Sequence, residues 1–518
     1  MKQPKPKSKR HGKASRTAEQ AGRAASQAAG QAVDRAAGRK TDRAVGRDFS
    51  PGIQPPQTSR ALAPEVSSSE ITIPTPALLV QIEKPIYGGA FLARVEGKAV
   101  FVPLTLPGEQ ARIRIVEDKR AYSTAEAEQI VTAAPERIAP ACRHFGICGG
   151  CHYQHATYQA QLQIKESILR ETLDRAGVRA PDHIAILAAS SPTQSWAYRN
   201  RIRLAFDAQG NPGYRGRRSH AVIPIAECPI AAPLLVRAAQ AAADLARPSA
   251  PAFRPTEIAL FSNADESALL VTLFTAGPAK FRLDNFAQAL QEQIPALRGV
   301  ELVVEGRAES RTPAQPPHTQ EQPPHTIAQW GATSLTYQAA GIPYRVDHGA
   351  FFQVNRWLLD DFVAKVIANH SGNLAWDLYA GVGLFARQLA ARFARVVAVE
   401  SAPAAISALA HNLRGVSATA VNASTLDFLR RNRNGACPGF IVVDPPRTGL
   451  GPETCALLAQ SAAPTLVYVS CDPATLARDL RALLAAGYAI QSITLADLFP
   501  HTFHIETIVE LRWVRASA

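Results

Sequence analysis

The chain has 518 residues, 47% of them apolar and 19% charged, enough for about three domains around large buried cores. No uninterrupted apolar run approaches the roughly 18 to 20 residues that cross a bilayer, so composition excludes a helical membrane protein and predicts a soluble, globular chain with no membrane partner. Residues 1–47 hold 13 Lys/Arg against Glu19, Asp34 and Asp42, and so carry +10 of the net +13; a basic tail on a nearly balanced body points to a polyanion, most simply nucleic acid.

Residues 1–70 are rich in Lys, Ala, Gly, Gln, Ser and Pro, with Phe49 as their aromatic residue. They cannot bury enough apolar surface to offset their ordering entropy and are expected to be a disordered basic tail. An Arg/Ser-rich, acid-poor start also fits an organellar transit peptide, but the early Lys-Pro pairs and the lack of an apolar face count against it. Residues 75–132 change to short alternating runs such as 91–95 and 99–102, broken by Gly88-Gly89, Gly97 and Leu106-Pro107-Gly108. That spacing predicts a small antiparallel barrel. Its Gly-Gly-x4-Arg, Val-Phe-Val-Pro and Leu-Pro-Gly-Glu pattern resembles the TRAM domain, an OB-like RNA-binding module.

Residues 142–340 read as an α+β central domain, interrupted at 308–326 by a Pro/Gln/His/Thr-rich surface insertion. Residues 341–518 form the last domain. From 372 onward strand and helix alternate, with strands at 374–378, 396–400 and 466–470, which specifies a doubly wound, mostly parallel sheet, here expected to have seven strands. The run 505–512 reads as a late antiparallel strand.

Cys142, Cys148 and Cys151 fall within ten residues, and Cys228 follows in Glu227-Cys228-Pro229. Gly146, Gly149 and Gly150 let the backbone fold tightly around a bound centre. Four thiolates suit zinc or an iron-sulfur cluster on donor type alone; the irregular spacing, the distant fourth cysteine and the Cys-Pro pair lean toward a four-iron cluster. Disulfides are disfavoured because nothing marks a secreted chain.

In the alternating region, Asp377-Leu378-Tyr379-Ala380-Gly381-Val382-Gly383 closes one strand and opens a helix, and Glu400 ends the next strand. A glycine turn there admits a cofactor, and an acid at that distance accepts from ribose hydroxyls. The missing third glycine, together with the acidic Asp377 that opens the motif, points from NAD toward S-adenosylmethionine. Asp444-Pro445-Pro446-Arg447 and Ser470-Cys471-Asp472-Pro473 each end a strand. Cys471 precedes a helix whose first amides are expected to stabilise a thiolate, making it the candidate nucleophile. Phe499-Pro500-His501-Thr502-x-His504-x-Glu506 adds imidazole and carboxylate for acid-base work, although either histidine fits a structural role equally.

In this order, the TRAM pattern, the four cysteines, Phe352-Gln353-Val354-Asn355, Asp444-Pro445-Pro446-Arg447, Ser470-Cys471-Asp472-Pro473 and His504-x-Glu506 resemble the iron-sulfur branch of the RNA uracil-C5 methyltransferases, over about residues 75–518. The resemblance implies a class I methyltransferase domain that makes 5-methyluridine in large-subunit (23S) ribosomal RNA, in a cytoplasmic monomer. It implies Cys471 as nucleophile, Glu506 as the base for the C5 proton, and Gln353, Tyr379, Glu400, Asn422 and Asp444, beside Gly381, as S-adenosylmethionine-binding residues. It also implies a 4Fe-4S cluster on Cys142, Cys148, Cys151 and Cys228. Leu384 departs from the family, which often has Asn there. The rival RNA cytosine-C5 methyltransferases have Pro-Cys in place of Pro445-Pro446, radical methylthiotransferases have another cysteine spacing and a barrel, and a non-catalytic iron-sulfur RNA-binding protein would not need Cys471 and Glu506.

Overall fold

A computed structural model describes residues 77–247, 253–277, 281–306 and 324–514. The tail of residues 1–70, and all of the 308–326 insertion except its last three residues, lie outside the described residues. The described chain falls into two compact units, residues 77–135 and residues 136–305 with 324–514. Among the described residues no helix is long and apolar enough to cross a membrane.

In the first unit β1 (Leu78–Ile86), β2 (Ala90–Val95), β3 (Lys98–Pro103), β4 (Gln110–Asp118) and β5 (Tyr122–Thr132) close a barrel in the order β1-β2-β3-β5-β4. Alternation buries Val80 and Ile82, Phe91 and Ala93, and Ala111 and Ile113 inside it. Glu96 and Gly97, at φ 50° and 83°, make the two-residue turn between β2 and β3, and positive φ at both positions suits the strand twist. Glu109 of the Leu-Pro-Gly-Glu run is fully buried, and its carboxylate accepts from Leu106 N (2.7 Å) and Ala134 N (3.2 Å). The motif is thus a staple that closes the barrel.

The second unit opens with the cysteine-bearing turns, then α1 (Tyr158–Arg175) and β6 (Ala185–Leu187). Next come β7 (Arg201–Phe206), β8 (Pro212–Arg215), β9 (Val222–Pro224), α2 (Pro233–Ala246), β10 (Glu257–Ser262), β11 (Leu269–Thr275), α3 (Leu283–Gln293), β12 (Leu297–Val304) and β13 (His325–Gly331). The strands pair as one sheet, β13-β12-β11-β10-β7-β8-β9. Helices α2 and α3 bury Leu235, Ala239, Phe286 and Leu290 against it. A hairpin of β14 (Ser334–Ala339) and β15 (Ile342–Asp347) and then α4 (Leu359–Ile367) lead into the last sheet.

That sheet is built from β16 (Gly372–Leu378), β17 (Phe393–Glu400), β18 (Ala418–Asn422), β19 (Phe440–Val443), β20 (Thr465–Ser470), β21 (Tyr488–Ala496) and β22 (Glu506–Trp513). Between them run α5 (Leu384–Leu389), α6 (Pro403–Asn412), α7 (Thr425–Asn432), α8 (Gly451–Ser461) and α9 (Pro473–Ala485). The order is β18-β17-β16-β19-β20-β22-β21-β6. Every residue of β19 and β20 is buried, as befits parallel strands covered on both faces. β22 runs antiparallel between β20 and β21. The sheet therefore has eight strands, not the expected seven: β6, from far upstream, pairs parallel to the edge strand β21 through Ala185, Ile186 and Leu187. A three-residue strand carries no readable period. The strand order turns back on itself between β16 and β19, the point at whose carboxyl edge such sheets bind ligands.

Candidate active site

The carboxyl ends of β16, β17, β19 and β20 gather most of the residues singled out above. Asp377, the last residue but one of β16, is wholly buried; its Oδ2 accepts from Ala386 N at 2.7 Å, while Oδ1 is buried without a partner. Burial, reinforced by Asp444 and Glu400, pushes its pKa up to about 7. The loop that follows has left-handed backbone at Tyr379 (66°), Gly381 (54°) and Gly383 (90°). A Cβ on Gly383 would meet Leu409 Cδ1 at 2.8 Å, whereas one on Gly381 would meet nothing within 4 Å; the first glycine is open toward a ligand and the second is needed for packing. Leu384, the departure from the family pattern, is buried at the start of α5.

Glu400 ends β17 and organises this loop. One carboxylate oxygen accepts from Gly381 N (2.8 Å), the other from Ser401 N and Ala402 N (2.6 Å each). Parallel register sets Asn422, exposed at the end of β18, beside Glu400. Asp444 follows β19, and burial pushes it up to about 7. Gln353 Nε2 donates to Asp444 Oδ2 at 3.4 Å. Gln353 is itself fixed: its carbonyl accepts from Asn200 Nδ2 (3.0 Å), and nearby Asn355 caps the next turn through Trp357 N and donates to Leu498 O.

Cys471 follows β20, and antiparallel pairing of Ser470 with Thr507 sets it, one step further on, opposite Glu506 at the start of β22. Its thiol is pushed up to about 12, first by burial and then by Glu506 and Asp444, with Arg447 opposing. This corrects the expected thiolate stabilisation. The N-terminus of α9 is already occupied: Asp472 Oδ1 accepts from Ala474 N (3.0 Å) and Thr475 N (2.9 Å), and Pro473 has no N–H to offer. Glu506 is buried, and burial plus Asp444 raise its pKa well above the ordinary carboxylate range, Arg447 again opposing.

Arg447 Nη2 donates to His504 Nδ1 at 3.1 Å. Burial first, and then Arg447, hold His504 well below its ordinary pKa, so it is a neutral acceptor. His501 takes no such place: its ring stacks on Trp196 and bonds to Gln161, and burial pushes it down to about 4. In the sequence Asp377 counted as the acidic opening of the glycine motif but was not named as a site residue, and Arg447 and His504 stood in separate motifs without being paired. A carboxylate closing an otherwise apolar strand was the available signal for Asp377; nothing in the spacing of 57 residues announces the pair.

Apart from these groups, Cys142, Cys148, Cys151 and Cys228 come together around one pocket, which Phe145, Arg199 and Tyr214 also line. All four are free thiols. The turn that carries three of them is pinned by Gly149 N to Arg215 O (3.1 Å) and Arg217 N to Ile147 O (2.9 Å), and Gln154 Oε1 accepts from Cys142 N (3.0 Å). Burial raises the thiols of Cys148, Cys151 and Cys228. Among the described residues, no three His, Cys, Asp or Glu donors are placed to hold a single metal ion.

The TRAM domain family matches residues 77–127, and the family described as tRNA (Uracil-5-)-methyltransferase matches residues 436–514. A Chromohalobacter salexigens protein named 23S rRNA (uracil(1939)-C(5))-methyltransferase RlmD is 33% identical over 448 residues, 83% of this chain and 88% of that one. An uncharacterized RNA methyltransferase of Nitratidesulfovibrio vulgaris is 32% identical over 82% of this chain and 93% of its own. The crystal structure of Pyrococcus abyssi tRNA (uracil-54, C5)-methyltransferase in complex with S-adenosyl-L-homocysteine superposes with a TM-score of 0.65 at 23% identity, covering 83% of this chain and 100% of that one, a likeness of fold. With these relatives matched over most of both chains, the chain belongs to the RNA uracil-C5 methyltransferase family.

Proposed function

We propose that the protein methylates C5 of a uridine in 23S ribosomal RNA, using S-adenosylmethionine and a covalent bond from Cys471 to C6 of the base. The ribosomal target rests on the name shared by relatives such as those of Chromohalobacter salexigens and Halomonas elongata. The covalent route rests on one observation above all, the β20–β22 register, whose last pair, Ser470 with Thr507, leaves Cys471 and Glu506 next in line on neighbouring strands.

The strand ends fit the cofactor. Gly381 is open on its Cβ side, Asp377 Oδ1 is buried without a partner, and Glu400, Asn422, Tyr379, Gln353 and Asp444 surround the same edge. When bound, S-adenosylmethionine supplies an electrophilic methyl group. The protein must make C5, a poor carbon nucleophile, able to take it. Cys471, once its proton has left to solvent, adds to C6 and raises the electron density at C5. After C5 is methylated, Glu506 takes the C5 proton, the C5–C6 double bond re-forms, and the electrons of the C6–S bond return to sulfur. A buried carboxylate with a raised pKa is a strong base once ionised, and the Arg447 cation favours that ionised form. To reach this edge the uridine must be single-stranded or flipped from its stack.

Cys142, Cys148, Cys151 and Cys228 fit one four-iron cluster. The four thiols line one pocket, and four thiolates are the donor set of such a cluster, each on its own iron. Arg199 in the wall supplies a cation against the cluster's negative charge. Methyl transfer needs no electron, so the group's role is structural or RNA-positioning. Anaerobically purified protein should carry about four iron per chain; stoichiometric zinc without iron would refute this.

The test of the reaction is the fate of the RNA. Glu506→Gln should accumulate a methylated RNA adduct that survives denaturation, and 5-fluorouridine RNA should trap the same linkage on the unaltered protein, because fluorine cannot leave as a cation. Cys471→Ala should neither trap nor methylate. Full activity in Cys471→Ala, or an adduct mapping to Cys437 or Cys455, overturns the assignment.

A further inference from the structure

Helix α1 buries two polar side chains, Gln161 and Lys165, on the face where an amphipathic helix normally carries apolar ones. Both engage the segment 497–505, which leads into Glu506 more than three hundred positions later in the chain. Lys165 Nζ donates to Asp497 Oδ1 (2.5 Å) and to Phe499 O (2.9 Å), and both charged side chains are completely enclosed. Gln161 Oε1 accepts from His501 N (2.8 Å), and its Nε2 lies 3.1 Å from His501 Nδ1.

His501 is the strained point of this segment, at φ 66°. A non-glycine residue keeps such a conformation when its surroundings over-determine it. Besides Gln161, the His501 carbonyl accepts from His152 N (2.8 Å) and Tyr153 N (3.0 Å), and its ring stacks on Trp196 at 3.8 Å. On either side, Tyr198 Oη donates to Pro500 O (3.1 Å), Asn355 Nδ2 to Leu498 O (3.0 Å), and Asp497 N to Leu187 O (2.7 Å). A buried ion pair adds little stability over an apolar pair of the same shape, so the use of Lys165 and Asp497 here is better explained by geometry than by stability.

We propose that Lys165 and Gln161 are positioning residues for proton removal: they hold segment 497–505 on the strained path that aims Glu506 across the strand ends at Cys471. This rests on Glu506 being the base. It predicts that loosening the latch slows resolution of the adduct more than its formation, since Cys471 sits between β20 and α9, outside the held segment.

The full-length protein, purified anaerobically, is compared with two variants. Lys165→Met/Asp497→Leu replaces the whole ion pair by apolar groups, leaving no stranded charge, and Gln161→Leu removes the His501 bonds together with the one that Gln161 Nε2 donates to Ala156 O (3.0 Å). Three quantities are read: trapping of 5-fluorouridine RNA, release of methylated product from uridine RNA, and backbone hydrogen exchange. In both variants trapping should stay within about threefold while release slows about tenfold or more, the scale of an ångström-sized misplacement. Methylated covalent RNA should then accumulate, and exchange should quicken at 497–506 but not in β16 to β20. A proportional fall of trapping and release would reveal a general packing defect and overturn the proposal, as would unchanged exchange. If the unaltered protein traps nothing, the covalent reading fails instead. The positioning claim is then decided by exchange and single-turnover methylation, where faster exchange with unchanged turnover overturns it.

Discussion

The Cys471 thiol of the free protein should be a poor nucleophile, and its alkylation measures how poor. With its pKa pushed up to about 12, the thiolate fraction at pH of about 7.5 is roughly 3 in 100,000, against about 1 in 10 for an ordinary thiol near 8.5. A more basic thiolate is intrinsically more reactive, recovering about 1.6 of those roughly 3.5 decades at a Brønsted slope near 0.45. The net expectation is iodoacetamide labelling about 100-fold slower than that of an exposed, unperturbed cysteine. Because the neutral form is favoured, the rate should climb about one decade per pH unit between about 6.5 and 9.5 without levelling. Peptide mass spectrometry separates Cys471 from the other six cysteines. A plateau below pH of about 9 would show the thiolate to be stabilised after all, and would refute the argument that burial and the two carboxylates outweigh Arg447.

Asp472→Ala removes the cap of α9 and should cost about 1 kcal/mol in denaturant unfolding, while freeing the amides of Ala474 and Thr475 so that Cys471 labels severalfold faster at neutral pH; unchanged labelling would mean that those amides do not reach the sulfur. Glu400→Ala should weaken S-adenosylhomocysteine binding by about tenfold or more in calorimetry, since the carboxylate orders the Gly381 loop besides facing the ligand edge; a change within about threefold would exclude that role. Glu109→Ala strands two buried amide donors in the barrel and should cost about 3 kcal/mol of its stability, with less than about 1 kcal/mol counting against the staple.

Local features of the sequence carried much of this. Turns at Gly97 and Gly108 and period-two burial announced the barrel, and the largely apolar runs at β19 and β20 announced covered parallel strands. Cys471 and Glu506 could be nominated as partners, but the register that opposes them is set by pairing across 36 residues. The raised thiol was misjudged although the signal was present: Asp-Pro directly after Cys471 is itself the start signature of a helix, a cap side chain and a donorless first residue, and it occupies the amides that the thiolate would have used. The eighth strand and the Lys165–Asp497 latch were beyond reach, because three residues have no period and a buried lysine at one helix position says nothing about a partner 332 positions away.

The carboxylates at the sheet edge also imply how the site distinguishes cofactor from spent product. Asp377 and Asp444 are both pushed up to about 7 by burial, and Asp377 further by Asp444 and Glu400. A raised carboxylate pKa means that the neutral form is favoured, so the two groups are largely protonated at pH of about 6 and largely ionised at about 8. S-adenosylmethionine carries a sulfonium charge that S-adenosylhomocysteine lacks, and a cation at this edge binds the ionised carboxylates better than the neutral ones. Affinity for the cofactor should therefore tighten as pH rises through about 7, by up to about tenfold per unit for each proton released, and level off above it. Affinity for the product should change little over the same range. Calorimetry in buffers of different ionisation enthalpy counts the protons directly. Equal pH slopes for the two ligands would show that these carboxylates do not sense the sulfonium. Unequal slopes would mean that methyl transfer itself discharges the contact, so that the carboxylates recover their protons and the product is loosened as it forms.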